Sequence, residues 1–423
     1  MRVAVVGGGY SGTLAAVEIA RALPDAQVSL VEKRDRFAAG AAYSTLSPSH
    51  LLNVRARSMS AFAEDPDHFT RWLQDEGLGG WDTFARRRDY HRYLAAILDA
   101  SAVRRVRGEA VDVEGAVDGA QLALASGELI AFDALVLAGG NYPGRLPARL
   151  AVPTIDDPWS AAGLEAVAGL ARGDGEILMV GTGLTMVDVA LSLDDAGFGG
   201  RMLAVSRRGL VPRAQEGSPD SPLPGEPPPR LLDLVRHVRA GRPWRAAVDS
   251  LRPHSAALWQ GFSEPEKRRF LRHLRPWWDV HRHRIAPAVA ARIEALRASG
   301  RLEVAAGRIG GEADGETLVA LRGGGTLRRR FVAAVNCTGP EGNIARVDDP
   351  LVRQAIASGW ARPDRLGLGL DVDSKSRLIG ADGAPWPRRF AVGPLSKGAF
   401  WEIVAVPDIR HQALGVARTL AAS

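Results

Sequence analysis

The chain has 423 residues, 46% of them hydrophobic and 24% charged, which is typical of a globular enzyme with two or three domains. Its formal net charge is +6, but the 54 basic residues are nearly all arginines interspersed with 48 acidic residues, so no nucleic-acid partner is indicated. The longest apolar runs are too short for a membrane span, and the single cysteine excludes a disulfide framework. We therefore expect a cytoplasmic protein.

The first 32 residues predict a dinucleotide-binding unit. An apolar strand at 2–6 is followed by glycines in the spacing G-x-G-x-x-G, a helical stretch, and a second strand that ends on an acid. The glycines permit a tight turn, let a pyrophosphate approach the backbone and let the helix lie close to the sheet, while the acid is placed to accept hydrogen bonds from ribose hydroxyls. The predicted nucleotide contacts are Gly7, Gly9, Tyr10, Ser11, Gly12, Glu32 and Lys33.

Shorter signals follow. Asn53 comes after two buried leucines, where it either faces a bound cofactor or caps a turn. The other predicted features are a small-residue loop (37–44), helices (66–73 and 90–98), a small β-meander (103–113 and 121–125), a strand (134–138) that ends on Gly139, and a crossover linker (145–172).

A second nucleotide unit is predicted from residue 177. A strand at 177–180 meets Gly181 and Gly183, but Met186 takes the place of the third glycine, so we expect looser helix–sheet packing there. The next strand ends on Arg207 and Arg208 instead of an acid. Arginine forks suit a 2′-phosphate, so the sequence favours NADPH over NADH, and the alternative is that both arginines are solvated turn residues. The predicted contacts are Gly181, Gly183, Leu184, Thr185, Arg207 and Arg208.

An insertion interrupts this second unit. Residues 211–230 are rich in proline, and 230–299 have helical spacing with four tryptophans that we expect to be mainly core residues. His281 and His283 diverge on a helix and lack partner ligands, so no metal site is predicted. We expect the insertion, about 213–299, to cap the substrate side, with Arg282 and Arg284 on a cationic face.

Strand signals resume at 301–305, 317–321 and 331–336. The last of these ends on a turn containing Thr338 and Gly339, predicted to be the partner of the turn after residue 138. Near the C-terminus a strand at 389–392 stops at Gly393, and a helix interrupted by Pro407 follows a short loop. A strand, a glycine and a helix N-terminus in this order are what a flavin site requires, because the helix dipole stabilises negative charge on a reduced flavin.

These motifs, together with 40–44, 51–54, 206–209 and the Trp401–Glu402 pair, resemble a known family. The chain is similar to FAD/NAD(P)-binding flavoproteins that include bacterial FAD-dependent urate hydroxylases, and more distantly to flavin N-hydroxylating and Baeyer–Villiger monooxygenases. The resemblance implies FAD on the first unit, a nicotinamide cofactor on the second, and Met186 as a variant compatible with binding. Gly139, Thr338, Gly339, Gly393, Trp401 and Glu402 then join the expected cofactor contacts.

The implied fold class is α/β, with two Rossmann-like dinucleotide-binding domains in a glutathione-reductase-like arrangement and a helical insertion. The expected division is an FAD-binding domain in two parts, 1–150 and 339–423, around an NAD(P)H-binding domain at 173–338.

Two nucleotide sites on one chain imply hydride transfer from NAD(P)H to FAD. A single cysteine supplies no redox pair, and no iron–sulfur or haem-attachment spacing is present, so molecular oxygen is the expected acceptor. We therefore predict a monooxygenase that acts through a C4a-(hydro)peroxyflavin on a small polar substrate, either a urate-like heterocycle or an amino acid or amine.

Asn53 and Lys397 are the predicted catalytic side chains, the lysine as a charge that neutralises reduced flavin or substrate, with an exposed surface lysine as its alternative. A flavin reductase or dehydrogenase that passes electrons to a quinone or a partner protein is the alternative function. A flavin-bound sensor is disfavoured because the second unit would then be superfluous.

Overall fold

The computed structural model describes residues 1–115, 119–216, 225–241 and 243–422. Part of the predicted proline-rich segment, 217–224, lies outside the described residues. The strands are β1 (Arg2–Val6), β2 (Gln27–Glu32), β3 (Arg104–Arg107), β4 (Ala110–Glu114), β5 (Gln121–Leu124), β6 (Leu129–Ala131), β7 (Ala134–Leu137), β8 (Thr154–Ile155), β9 (Glu176–Val180), β10 (Arg201–Ser206), β11 (Leu302–Ala313), β12 (Glu316–Leu321), β13 (Thr326–Arg329), β14 (Ala333–Asn336), β15 (Arg377–Ile379) and β16 (Pro385–Ala391).

The helices within the described residues are α1 (Tyr10–Ala22), α2 (Gly40–Tyr43), α3 (His68–Asp75), α4 (Arg87–Asp99), α5 (Ala161–Leu170), α6 (Leu184–Asp195), α7 (Leu231–Ala240), α8 (Trp244–Ser250), α9 (Ser255–Gly261), α10 (Glu264–Arg269), α11 (Arg275–Arg282), α12 (Pro287–Ala298), α13 (Pro350–Ala357) and α14 (Val406–Ala421). Six of these helices, α7 to α12, lie in the insertion. No helix in the described ranges is long and apolar enough to cross a membrane.

The first sheet has the strand order β15-β16-β7-β1-β2-β3, with β1 paired in parallel to β2 and β7. Val3 and Val5 of β1 are buried beneath α1 and α14, whereas Ala4 faces the opposite side, which the β4–β6 meander and α13 cover. Because both faces are covered, the strand is apolar throughout rather than alternating. β16 pairs with β7, so the C-terminal part of the chain adds strands to the sheet that contains β1.

The second sheet has the order β13-β12-β11-β10-β9-β14-β8. Its β9, β10, β14 and β8 are parallel, and β11 runs parallel to β10 before it turns antiparallel to β12. α5, α6 and α12 contribute to the core on one face. Met186, which replaces the third glycine, is fully buried in that core.

Two sequence expectations for the connecting segments are wrong. The 103–113 stretch does not belong to one meander, because β3 pairs in parallel with β2 and only β4, β5 and β6 form the small antiparallel sheet. The 145–172 segment is not a plain linker, since it contains β8 and α5. Ser160 caps α5 by accepting a hydrogen bond from the Gly163 N–H at 3.0 Å, a cap signal that the sequence carried.

The predicted interruption of the last helix is also wrong. α14 is continuous from Val406, and Pro407 lies in its first turn. A proline there costs no hydrogen bond, because the first N–H groups of a helix have no intrahelical partner.

Candidate cofactor and substrate site

The first glycine loop leaves no room for side chains. Gly7 has φ +105°, its N–H donates to the Val31 carbonyl at 2.8 Å, and a Cβ on Gly7 would overlap the Ala138 carbonyl. A Cβ on Gly12 would in turn overlap the Gly7 carbonyl. The turn between β1 and α1 therefore requires glycine at both positions.

The N-terminus of α1 packs closely against the small-residue loop. Gly9 is the N-cap residue and has no capping side chain, so the first N–H groups of the helix remain available to a ligand. A Cβ on Gly9 would lie 3.3 Å from the Cα of Gly40 in that loop. Glycine at both positions thus permits a close backbone approach beside a helix N-terminus whose N–H groups suit a pyrophosphate.

The side chains of Tyr10 and Ser11 point elsewhere. The Tyr10 hydroxyl donates to the Val406 carbonyl at 3.3 Å, and the Ser11 hydroxyl lies where a Cβ on Gly393 would be. Both residues hold the glycine loop against the C-terminal segment. Their side chains are therefore turned to the C-terminal segment, and the backbone N–H groups are the parts of Tyr10 and Ser11 placed to make the predicted nucleotide contacts.

Glu32 is buried at the end of β2. Its Oε2 accepts the Gly8 N–H at 2.7 Å and its Oε1 accepts the Arg34 N–H at 2.8 Å. Each carboxylate oxygen keeps a further lone pair, so ribose hydroxyls can still be accepted. Lys33 points to the surface and pairs with Glu109 at 3.0 Å.

The second glycine loop repeats this design. Gly181 has φ +121°, and a Cβ on it would overlap the Cys337 carbonyl. In the same way, a Cβ on Gly7 would overlap the Ala138 carbonyl. Gly183 caps α6 without a side chain, and no atom lies within 4 Å of the position of its missing Cβ. Leu184 and Thr185, in the first turn of α6, are partly exposed. The space in front of this helix is therefore open.

The turn after β10 is rigid, while its arginines are free. The Ser206 hydroxyl lies 2.8 Å from the Thr182 hydroxyl and accepts the Gly209 N–H at 3.0 Å. Arg207 is exposed and Arg208 half-buried, and neither makes a hydrogen bond or ion pair with the described part of the chain. Two unpaired guanidiniums on a fixed turn suit a phosphate group.

The turns after β7 and β14 lie in contact. Pro143 and Pro340 form a β-bridge, and the Asn336 side chain donates to the Gly144 carbonyl at 2.6 Å. The same side chain accepts the Thr338 hydroxyl at 2.7 Å. Gly139 and Gly339 thus lie in two turns that contact each other where the chain passes between the two sheets.

The two predicted catalytic residues lie on separate segments. Asn53 is partly exposed in the loop before α3, and its side-chain amide has no hydrogen bond within the described residues. Its carbonyl accepts from the Gln215 side chain at 3.4 Å. Lys397 is partly buried with its Nζ 4.6 Å from the centroid of the Trp401 ring. Burial and the nearby Arg275 lower the pKa of Lys397 to about 8.

The insertion clamps the 398–402 segment, which the sequence did not reveal. Trp259 donates its indole N–H to the Gly398 carbonyl at 2.8 Å, and Trp278 donates to Glu402 Oε1 at 2.8 Å. The Trp401 ring packs 4.9 Å from that of Trp259. The Glu402 carboxylate and the Trp401 ring are thus turned to the insertion. The tryptophan-rich composition of the insertion was the signal for these contacts.

The expected cationic face is not formed by Arg282 and Arg284. Arg282 is 8% exposed and pairs with Glu402 at 3.3 Å, while Arg284 is 4% exposed and pairs with Asp249 at 2.8 Å. A buried guanidinium requires a carboxylate partner, because an unpaired charge in a low dielectric is costly. Arg284 therefore stabilises the insertion internally and Arg282 joins it to the 398–402 segment, instead of facing solvent.

Charged groups where the insertion meets the 398–402 segment shift the pKa of Glu402. Burial raises the pKa of Glu402, but His283 and Arg282 outweigh burial and hold that pKa below its usual value. Buried polar atoms without a hydrogen-bond partner in the described residues gather at this junction, among them Arg252 Nη2, Arg282 Nε, Trp401 Nε1, Glu402 Oε2, Asp408 Oδ2 and Arg410 Nε.

The family model described as FAD-NAD(P)-binding matches residues 4–142, which contain β1, the first glycine loop and β7. Among curated proteins, none matches the sequence. The fold is that of a two-domain FAD/NAD(P)-binding flavoprotein.

Solved structures agree over the whole chain. An ornithine N-hydroxylase from Kutzneria sp. 744, with reduced FAD, NADP⁺ and L-ornithine, has a TM-score of 0.70 at 14% identity and covers 99% of this chain and 98% of its own. An L-lysine 6-monooxygenase from Pseudomonas syringae has a TM-score of 0.66 at 18% identity, covering 99% and 98%. A thioredoxin reductase from Lactococcus lactis gives 0.52 at 14%, covering 100% and 99%. At such identities the likeness concerns the fold.

Proposed function

We propose that the protein is an FAD-dependent, NADPH-using monooxygenase that hydroxylates a small polar substrate. The observation that carries the proposal is the combination of two open glycine-capped helices, at Gly9 and Gly183, with a lone cysteine that is unsuited to redox exchange. Two nucleotide sites supply electrons, and the chain itself has no thiol pair to receive them.

The cysteine separates this proposal from disulfide reduction. Cys337 is 3% exposed, and burial raises the pKa of its thiol well above the usual value, so the reactive thiolate is suppressed. Its carbonyl packs against Gly181, which gives the residue a structural role. The thioredoxin reductase fold is thus present without the cysteine pair that disulfide exchange requires.

Each site residue would have a distinct role in binding or orienting the cofactors. The N–H groups at the start of α1 and Glu32 would hold the pyrophosphate and ribose of FAD, and Arg207 with Arg208 would hold the 2′-phosphate of NADPH. When bound, FAD would supply the hydride-accepting and oxygen-activating chemistry. Lys397 would supply positive charge beside the flavin, and the unpaired Asn53 amide would orient the flavin edge or the substrate.

For the substrate we favour an amino acid or amine, because the similar structures include an ornithine N-hydroxylase with L-ornithine and an L-lysine 6-monooxygenase. A urate-like heterocycle is the second candidate. We also infer that dioxygen is the co-substrate and that the enzyme acts in the cytoplasm.

The test is coupled turnover. Purified holoenzyme is reduced anaerobically with NADPH or NADH, and oxygen uptake and hydrogen peroxide release are then measured with L-ornithine, L-lysine, diamines and urate. A true substrate should raise oxygen uptake while it lowers peroxide released per NADPH, and mass spectrometry should find the product heavier by one oxygen atom.

The rival function is a flavin reductase that delivers electrons to a quinone. It predicts rapid NADPH oxidation with a quinone, together with peroxide yield that no amine or heterocycle changes. That outcome would overturn the monooxygenase proposal, whereas a flavin that neither nicotinamide reduces would overturn both.

A further inference from the structure

A cavity of about 350 Å³ lies between the two nucleotide units, away from both glycine loops. One wall is the first unit's 44–50 loop, and the other consists of α5 and α6 of the second unit. Ligand sites are commonly found at such domain interfaces and have volumes of roughly 300–1,000 Å³.

The α5 wall is built by helical spacing. Leu164, Val167 and Ala168 lie at i, i+3 and i+4, so they share the face that lines the cavity. Val189 of α6 and Leu46 of the loop complete an apolar surround, and Leu46 is 68% exposed at its edge. Trp159 adds an aromatic face, with its ring 6.0 Å from that of His50.

The polar groups of the lining are already occupied. His50 Nδ1 lies 2.7 Å from the Thr45 hydroxyl, and its Nε2 lies 2.9 Å from the Asp188 carbonyl. The Asp188 carboxylate pairs with Arg87 at 2.8 Å. A charged ligand would therefore lose its hydration without gaining a partner, whereas an uncharged apolar ligand loses nothing.

Size narrows the ligand further. An engineered cavity of about 150 Å³ is known to hold one benzene ring. A cavity of roughly twice that volume, with a tryptophan face for edge or stacking contacts, suits a molecule of about two fused rings.

We propose that this cavity is a binding site for an uncharged bicyclic aromatic molecule, separate from the cofactor and substrate sites. Its occupant would touch the first unit through the 44–50 loop and the second through α5 and α6. Binding would therefore stabilise the junction between the units, independently of the reaction catalysed at the flavin.

Calorimetric titration of the FAD-loaded protein with quinoline, an uncharged soluble bicycle at neutral pH, tests the proposal. We expect saturable binding of one quinoline per chain and at least tenfold weaker binding of quinoline-2-carboxylate. Ala168 is exposed at the rim of the cavity, so Ala168→Trp places a large side chain over the lining and should weaken quinoline binding at least tenfold. Ala166→Trp is the matched control, because Ala166 is equally exposed on the same helix but is not part of the lining, and it should leave binding unchanged.

Flavin content and anaerobic reduction by NADPH are measured on both variants, so that loss of fold or of the proposed activity is distinguished from loss of the cavity. Quinoline binding that is non-saturable, or equal in the two variants, would overturn the proposal. A wild-type dimer that Ala168→Trp dissociates would instead assign the cavity to a side chain of a second copy of the chain.

Discussion

In our proposal, Gly9 is the residue on which flavin retention depends most directly. In Gly9→Val a branched side chain would meet the backbone of Gly40 and displace the small-residue loop beside the helix N-terminus where the pyrophosphate is proposed to lie. We expect the variant to fold but to purify without flavin, as measured by absorbance near 450 nm (an approximate flavin band) relative to protein. Gly169→Val is the control, because no atom lies within 4 Å of that Cβ position on α5. A fully yellow Gly9→Val protein would contradict the assignment of this loop.

Arg207 and Arg208 decide the choice of nicotinamide in our proposal. Their guanidiniums have no partner in the described residues, so replacing both with alanine should leave the fold intact. Loss of paired, charge-assisted hydrogen bonds should cost roughly 2–4 kcal/mol, about 30- to 1,000-fold in KM for NADPH. The KM for NADH should change little, and equal effects on the two cofactors would show that the arginines lie outside the site.

Lys397 should make flavin reduction depend on pH. Its pKa is lowered to about 8, so its ammonium is charged below that pH and neutral above it. If this charge favours reduced flavin, the anaerobic reduction rate should fall as the pH rises through about 8. Lys397→Met should lack that step, whereas exposed Lys375→Met should retain it. An unchanged profile in Lys397→Met would exclude the lysine from the flavin environment.

At the scale of elements, the insertion and the C-terminal segment form one buried polar junction. Trp259 and Trp278 donate to Gly398 and Glu402, so two helices of the insertion fix a segment that is distant in the sequence and precedes the last helix. Several buried polar atoms at the junction have no hydrogen-bond partner among the described residues, and a partly satisfied network of this kind is less stable than its ion pairs suggest.

The Arg282–Glu402 pair lends itself to a double-variant cycle. Arg282→Met leaves the Glu402 carboxylate buried without its guanidinium, and we expect a loss of about 3–5 kcal/mol in the free energy of unfolding, measured in urea. Arg282→Met with Glu402→Gln removes both charges and should recover most of that loss. Additive losses would mean that the two side chains are not coupled.

At the scale of the whole molecule, the two nucleotide units are joined by buried contacts beside the cavity. His50 in the first unit lies within hydrogen-bonding distance of the Asp188 carbonyl and, at 3.0 Å, of the Ser192 hydroxyl on α6. Arg87 in the first unit pairs with the Asp188 carboxylate. These contacts hold the two units together.

His50 should make the stability of the junction depend on pH. Burial lowers the pKa of His50 below its ordinary 6.5, against the carboxylates of Asp188 and Asp195, with Arg87 adding to the lowering. The unfolded chain then binds more protons below about pH 6.5, so stability is lost as the pH falls through that value. The melting-temperature difference between wild type and His50→Gln should be largest above about pH 6.5 and shrink below it. A constant difference would show that His50 does not titrate.

The sequence by itself determined the two nucleotide units. Glycine spacing, flanking apolar strands and the acid Glu32 are local features, and a tight strand-to-helix turn permits few alternatives to them. Local sequence features also identified Arg207 and Arg208 at the end of a strand. Neither guanidinium has a hydrogen-bond or ion-pair partner in the part of the chain that the structure describes.

Only the tertiary structure decided the partners of the insertion. From the sequence we expected Arg282 and Arg284 to form a cationic surface, because a sequence does not reveal which carboxylate will be buried against a guanidinium. Glu402 lies 120 residues from Arg282 in the chain, and the two meet only when the insertion folds over the C-terminal segment. The physical reason is that buried charges are placed by long-range pairing, whereas a glycine turn is fixed by the conformations open to its own backbone.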